Sequence, residues 1–104
     1  RKMGNSNQQL PEYREYTRKQ LVDEVIDSVV NTVRLELDPR AFDENSDVVD
    51  DMRADSLDLV GIILDLEEKL CITLTDDEAG EKYKIREIVD VFYNRLKLEG
   101  RIKE

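Results

Sequence analysis

A serine flanked by acids, Asp55-Ser56-Leu57-Asp58, opens the most apolar stretch of the chain. A hydroxyl in the first turn of a helix sits at the positive end of the helix dipole, a setting that favours a phosphate ester. The chain contains no His, which removes the commonest general base and the usual partner of a nucleophilic serine. Chemistry at Ser56 therefore needs another enzyme to activate it. Asp55 and Asp58 flank the hydroxyl and could help hold a divalent cation such as Mg²⁺, brought with a phosphorylated donor. Ser56 also suits a plain duty, because serine before an apolar run is a good N-cap for an orphan N–H. Asp55 could be that cap equally well, leaving Ser56 free. No catalytic set is expected. Cys71 stands alone, which excludes an internal disulfide, and without His there is no zinc site of the usual Cys/His kind.

The element that must position Ser56 is a helix expected from about Ser56 to Leu70. Eight of the fourteen residues from Leu57 to Leu70 are large aliphatics. At 100° per residue Leu59, Ile62, Ile63, Leu66 and Leu70 form one stripe, enough to bury the helix. Leu57, Val60 and Leu64 form a second stripe, displaced from the first. The polar face is narrow, with Asp58, Gly61, Asp65 and Glu68 on it and Glu67 and Lys69 beside it. The second stripe either packs under a neighbouring loop or is partly exposed, and an apolar patch rimmed by Asp58, Asp65 and Glu68 has the character of a docking surface.

Helical periodicity governs the rest. Val22, Ile26, Val29, Val30, Val33 and Leu37 predict a first helix over at least 21–36, with Pro11 a possible first turn. Asp38-Pro39 ends it. The long loop that follows carries Phe42, Val48, Val49 and Met52, candidates to pin it to the core. Its Asp43-Glu-Asn45-Ser-Asp47 opening has EF-hand spacing, but Val48 replaces the required Gly and Ala54 the closing Glu. Thr75 and Glu78 have capping-box spacing, predicting a short helix near 76–81, limited by Gly80. A last helix over about 84–98 carries Ile85, Ile88, Val89, Phe92 and Leu96 on one face, with Gly100 as its stop. The expected fold is all-α: three long helices plus one short, with a long loop between the first two. Residues 1–20 form an N-terminal extension, either partly disordered or extending the first helix; 21–98 form the domain; 99–104 form a C-terminal tail.

The 104 residues carry a net charge of −9, unevenly spread: residues 38–81 hold −12, while 1–20 and 82–104 hold +3 each. This disfavours nucleic acid and favours a basic protein partner. No apolar run approaches the roughly 20 residues of a membrane span. The first residues lack the apolar stretch of a signal peptide, so the expected compartment is the cytoplasm.

The run from Glu44 to Leu96, and the apolar pattern of the first helix, resemble the acyl carrier proteins; the similarity covers about residues 21–97. The resemblance implies a non-enzymatic carrier, expected to be monomeric. Its cofactor is a 4′-phosphopantetheine arm on Ser56, taken from coenzyme A by a phosphopantetheinyl transferase, whose thiol holds acyl groups as thioesters. It implies that Asp55, Leu57, Asp58, Val60, Leu64, Asp65 and Glu68 meet basic docking patches on acyl-loading and acyl-transferring enzymes of fatty-acid, lipid or polyketide biosynthesis. It implies an acyl pocket at Val48, Val49, Met52, Ile62, Leu66, Leu74 and Ala79. Cys71 would be a small hydrophobe closing the second helix.

Several residues depart from the family pattern. Gly61 stands where an acid is common, Arg53 where glycine is usual, Leu59 where a small polar residue is common, and Thr75 where proline is usual. With the basic N-terminal segment, these point to a specialised bacterial-type carrier. Two other readings stand beside it: an aminoacyl or peptidyl carrier, and an unmodified acidic helical adaptor with Ser56 as a plain cap.

Overall fold

The computed structural model describes residues 15–33, 36–80 and 82–103. Three α-helices, α1 (Arg18–Val33), α2 (Ser56–Leu70) and α3 (Ile85–Leu98), and a 3-10 turn at Pro39–Ala41 make up the regular structure among these residues. The fold is all-α. Two isolated bridges join extended residues, Tyr16 with Ile102 and Asp47 with Lys84, and no strand forms at Cys71–Thr75.

Helix α1 begins where its sequence caps it. Thr17 Oγ1 accepts the Gln20 N–H at 3.1 Å and Gln20 Oε1 accepts the Thr17 N–H at 2.9 Å, a reciprocal cap of the Thr-x-x-Gln kind. The start is thus Arg18, within the stretch expected to be an N-terminal extension. The expectations for Pro11 and the rest of residues 1–14 lie outside the described residues, as do those for Arg34 and Leu35. The buried face of α1 is also broader than the expected stripe. Leu21 and Val25 are fully buried beside Ile26 and Val29, while Val22, Val30 and Val33 are only partly buried. The reason is that α1 packs against both α2 and α3, so one narrow stripe does not suffice.

The loop between α1 and α2 is pinned as its apolar residues suggest: Val48 and Met52 have no solvent exposure, and Phe42 and Val49 pack on the core from partial exposure. Its backbone is stitched to the start of α3 by Val48 N–H to Tyr83 C=O (2.6 Å) and Ile85 N–H to Ser46 C=O (3.0 Å). The α3 face is fully buried at Ile85, Ile88, Val89, Phe92 and Leu96. Gly100, at φ 71°, follows its end, the left-handed position that favours glycine.

Two expectations need correction. The short helix near 76–81 is, over its described residues, a set of turns. Thr75 and Glu78 do cap each other, but only one helical turn follows, Ala79 N–H to Thr75 C=O at 2.9 Å, before Gly80. Cys71 is exposed rather than packed. It turns α2 off in a left-handed conformation, φ 55°, which swings Ile72 inward to the core in its place. The 99–104 tail is docked where described: Tyr16 N–H donates to Arg101 C=O (2.8 Å) and Lys103 N–H to Tyr16 C=O (2.9 Å). Tyr16 and Arg101 are both buried there.

Candidate functional site

The first turn of α2 gives the capping role to Asp55 rather than to Ser56. Asp55 is the N-cap: its Oδ1 accepts the Asp58 N–H at 2.8 Å, and Asp58 Oδ2 accepts the Asp55 N–H at 3.1 Å. Each flanking carboxylate thus satisfies one backbone donor at the helix start. Ser56, the first helical residue, is exposed, and among the described residues its hydroxyl makes no hydrogen bond. Its position fits an acceptor of a phosphate ester, a free hydroxyl at a helix N-terminus.

The two stripes of α2 separate by exposure. Ile62, Leu66 and Leu70 are fully buried, with Leu59 and Ile63 partly so. Leu57, Val60 and Leu64 are 81%, 57% and 59% exposed, large values for aliphatics on so small a fold. The acids around them differ in freedom. Asp55 and Asp58 are engaged in the cap. Asp65 leans toward α1, accepting the hydroxyl of buried Ser28 at 2.7 Å and pairing with Lys69 at 3.3 Å. Glu67 accepts the Leu74 N–H at 2.7 Å. Glu68 is exposed. Gly61 also faces α1: a Cβ there would lie 3.5 Å from Thr32 Cγ2.

A cleft of about 530 Å³ opens beside Ser56. One wall is α2, through Leu59, Val60, Ile63 and Leu64; the other is the segment after it, through Thr73, Leu74, Ala79 and Gly80; Ile88 of α3 lines it as well. Glu67, Asp76 and Lys82 supply polar lining. Of the residues expected at an acyl pocket, Leu74 and Ala79 line this cleft. Val48, Met52, Ile62 and Leu66 sit in the core with no solvent exposure, and Val49 packs against it. Sequence reading missed Leu59, Ile63 and Ile88 as lining residues. Their core periodicity masked them, because the cleft reaches the edge of the same apolar stripe. Val60 and Leu64 serve both the cleft and the exposed stripe, so the apolar surface runs from outside to inside without a polar break.

Glu78 and Glu87 are held below the ordinary carboxylate range. For Glu78 the main cause is the Thr75 N–H, with Arg95 adding to it; for Glu87 it is the N–H groups of Tyr83 and Lys84. Among the described residues no three Cys, Asp or Glu side chains cluster as a metal site, and no helix is long and apolar enough to cross a membrane.

No family model matches the chain. Individual proteins do. The acyl carrier protein of Campylobacter curvus (strain 525.92) is 38% identical over 68 residues, 65% of this chain and 86% of that protein. The acyl carrier protein of Campylobacter hominis is 36% identical over 75 residues, 72% of this chain and 92% of its own length. That of Campylobacter jejuni (strain RM1221) is 38% identical over 64 residues, 62% and 83% respectively.

Proposed function

The chain belongs to the acyl carrier protein family, carriers rather than enzymes, and from that premise we propose that Ser56 is the attachment point of a 4′-phosphopantetheine arm. The observation that carries this is the capping of α2 by Asp55, which leaves the Ser56 hydroxyl exposed at the mouth of an apolar cleft. When bound, the arm supplies a terminal thiol on which acyl groups are held as thioesters. A phosphopantetheinyl transferase would install it: Ser56 Oγ bonds to the phosphorus nearest the pantetheine of coenzyme A, and the bond to the bridging oxygen breaks. Adenosine 3′,5′-bisphosphate leaves, and the hydroxyl proton passes to a base of the transferase. The chain's part is to present the hydroxyl where the α2 N-terminus favours the new phosphodiester. Asp55 and Asp58 border the site and are placed to face a Mg²⁺ ion carried in with the donor.

In the same reading Leu57, Val60 and Leu64 form the apolar centre on which partner enzymes dock, ringed by Asp55, Asp58, Asp65 and Glu68 for a basic patch on the partner. Asp65 contributes least, being drawn toward Ser28 and Lys69. The cargo is acyl, delivered to enzymes of fatty-acid, lipid or polyketide synthesis in the cytoplasm, and the cleft shelters its chain.

The test is direct. The protein is incubated with coenzyme A, Mg²⁺ and a broad-specificity transferase, and its intact mass measured. A single phosphopantetheine adduct is expected, absent in Ser56→Ala. No adduct with a transferase that modifies a control carrier would sink the reading and favour an unmodified adaptor.

A further inference from the structure

Helix α1 packs against both α2 and α3, while no Cα of α2 comes within 8 Å of one in α3. The gap between them holds the cleft, and residues 71–80 span it without regular secondary structure. Two apolar side chains, Ile72 and Leu74, anchor that segment in the core. Beyond them it depends on polar ties from both sides. From α2, Glu67 Oε2 accepts the Leu74 N–H at 2.7 Å. From α3, Arg95 Nη1 donates to the Thr73 carbonyl at 2.9 Å and to Glu78 Oε1 at 2.8 Å. Glu78 Oε1 also accepts the Thr75 N–H at 2.8 Å, so one guanidinium grips both ends of the turn that carries Ala79 to the cleft.

We infer that Arg95 is a positioning residue for the cargo: it holds the 73–79 wall against α2, and release of Glu78 widens the cleft for an acyl chain to enter or leave. This rests on the reading of Ser56 and the cleft given above. The other walls are poor candidates for movement. The α2 wall is backed by Ile62 and Leu66, and Ile88 is itself buried core. The 73–79 wall has few apolar anchors and a partly exposed ion pair, the features of a segment that opens at low free energy. An ion pair of this exposure is weak enough to break on thermal fluctuation and strong enough to bias the closed state. Arg95 also lies 4.0 Å from Glu99, which gives the guanidinium a second carboxylate to turn toward when Glu78 is released.

The experiment compares wild type, Arg95→Gln and Arg95→Lys in the full chain. Without cargo, amide exchange at Ala79 and Gly80 is expected to rise about five-fold in Arg95→Gln, with Arg95→Lys between it and wild type. Exchange at Val25 and Val29 in α1 should stay unchanged. With an octanoyl chain loaded, the thioester of Arg95→Gln should react with hydroxylamine about five-fold faster than wild type. If wild-type octanoyl and acetyl thioesters react equally fast, the cleft does not shelter cargo, and that reading fails together with the inference. If wild-type octanoyl is protected but Arg95→Gln changes neither rate, the reading stands and the inference is overturned. Faster exchange throughout α1 would also overturn it, since Arg95 would then be a general stabiliser.

Discussion

Arg53 is held at φ 69°, three residues before Ser56. The resemblance marked it as odd because glycine is usual there, and the backbone supplies the physical reason. A left-handed residue with a Cβ costs of order 1 kcal/mol or more. Arg53→Gly should therefore raise stability by about 1 kcal/mol, partly offset by the freer unfolded chain; urea unfolding of the two forms measures it. Gly61 presents the reverse case. It sits inside α2 at ordinary backbone angles, and an added methyl would find 3.5 Å to Thr32. Gly61→Ala should stabilise by roughly 0.5–1 kcal/mol, and a fall in the urea midpoint would show that α1 and α2 cannot accept the methyl. At this scale the sequence left the capping duty open between Ser56 and Asp55. The sequence offered two acceptable caps, and only the fold shows that Asp55 took the duty. The turn of Asp65 toward Ser28 was equally hidden, because a buried serine on α1 leaves no periodic mark.

Three helix or turn starts use a reciprocal cap: Thr17 with Gln20, Asp55 with Asp58, Thr75 with Glu78. The sequence yields the Thr75–Glu78 box and names Asp55 as a cap without its Asp58 partner; the Thr-x-x-Gln signal that sets the start of α1 lies closer to the helix than the Pro11 start it allows for. The third shows the limit of such signals, because a cap opens a helix but cannot lengthen one that Gly80 ends. Asp55→Ala should cost about 1 kcal/mol and free the cap for the Ser56 hydroxyl to take, so a thermal melt should shift and the adduct in intact mass should form more slowly than in wild type. Acid sensitivity belongs to these ends as well. Glu78 and Glu87 are depressed in the folded state, so the stability they give is present above the ordinary Glu value near 4.5. It is lost as pH falls through their folded values. Unfolding midpoints should hold steady down to about pH 5 and then decline, and Glu78→Gln combined with Glu87→Gln should flatten that decline.

Across the whole molecule, charge and packing divide the labour. The segment 38–81 carries −12, and docking of a basic partner on its α2 face should weaken as salt rises. Titration of the transferase against the protein at low and high salt checks this, and an unchanged affinity would leave the exposed Leu57, Val60 and Leu64 as the sole attraction. The helical composition of the fold could be read from periodicity, but the cleft could not, because it is a gap between two helices rather than a pattern within either. The docking of Arg101 and Lys103 on Tyr16 was also unreadable, being backbone pairing between distant residues with little apolar signature. The wider backbone separation of α2 from α3 than of either from α1 bears on cargo as well. Because α1 is the helix whose backbone approaches both others, shrinking a side chain in its interface and shrinking an exposed one along the cleft disturb separate neighbourhoods. Losses from Val29→Ala and Leu64→Ala should sum to within about 0.5 kcal/mol. The range of cargo sizes could then drift, or be redesigned, as an independent module with little effect on the rest of the architecture.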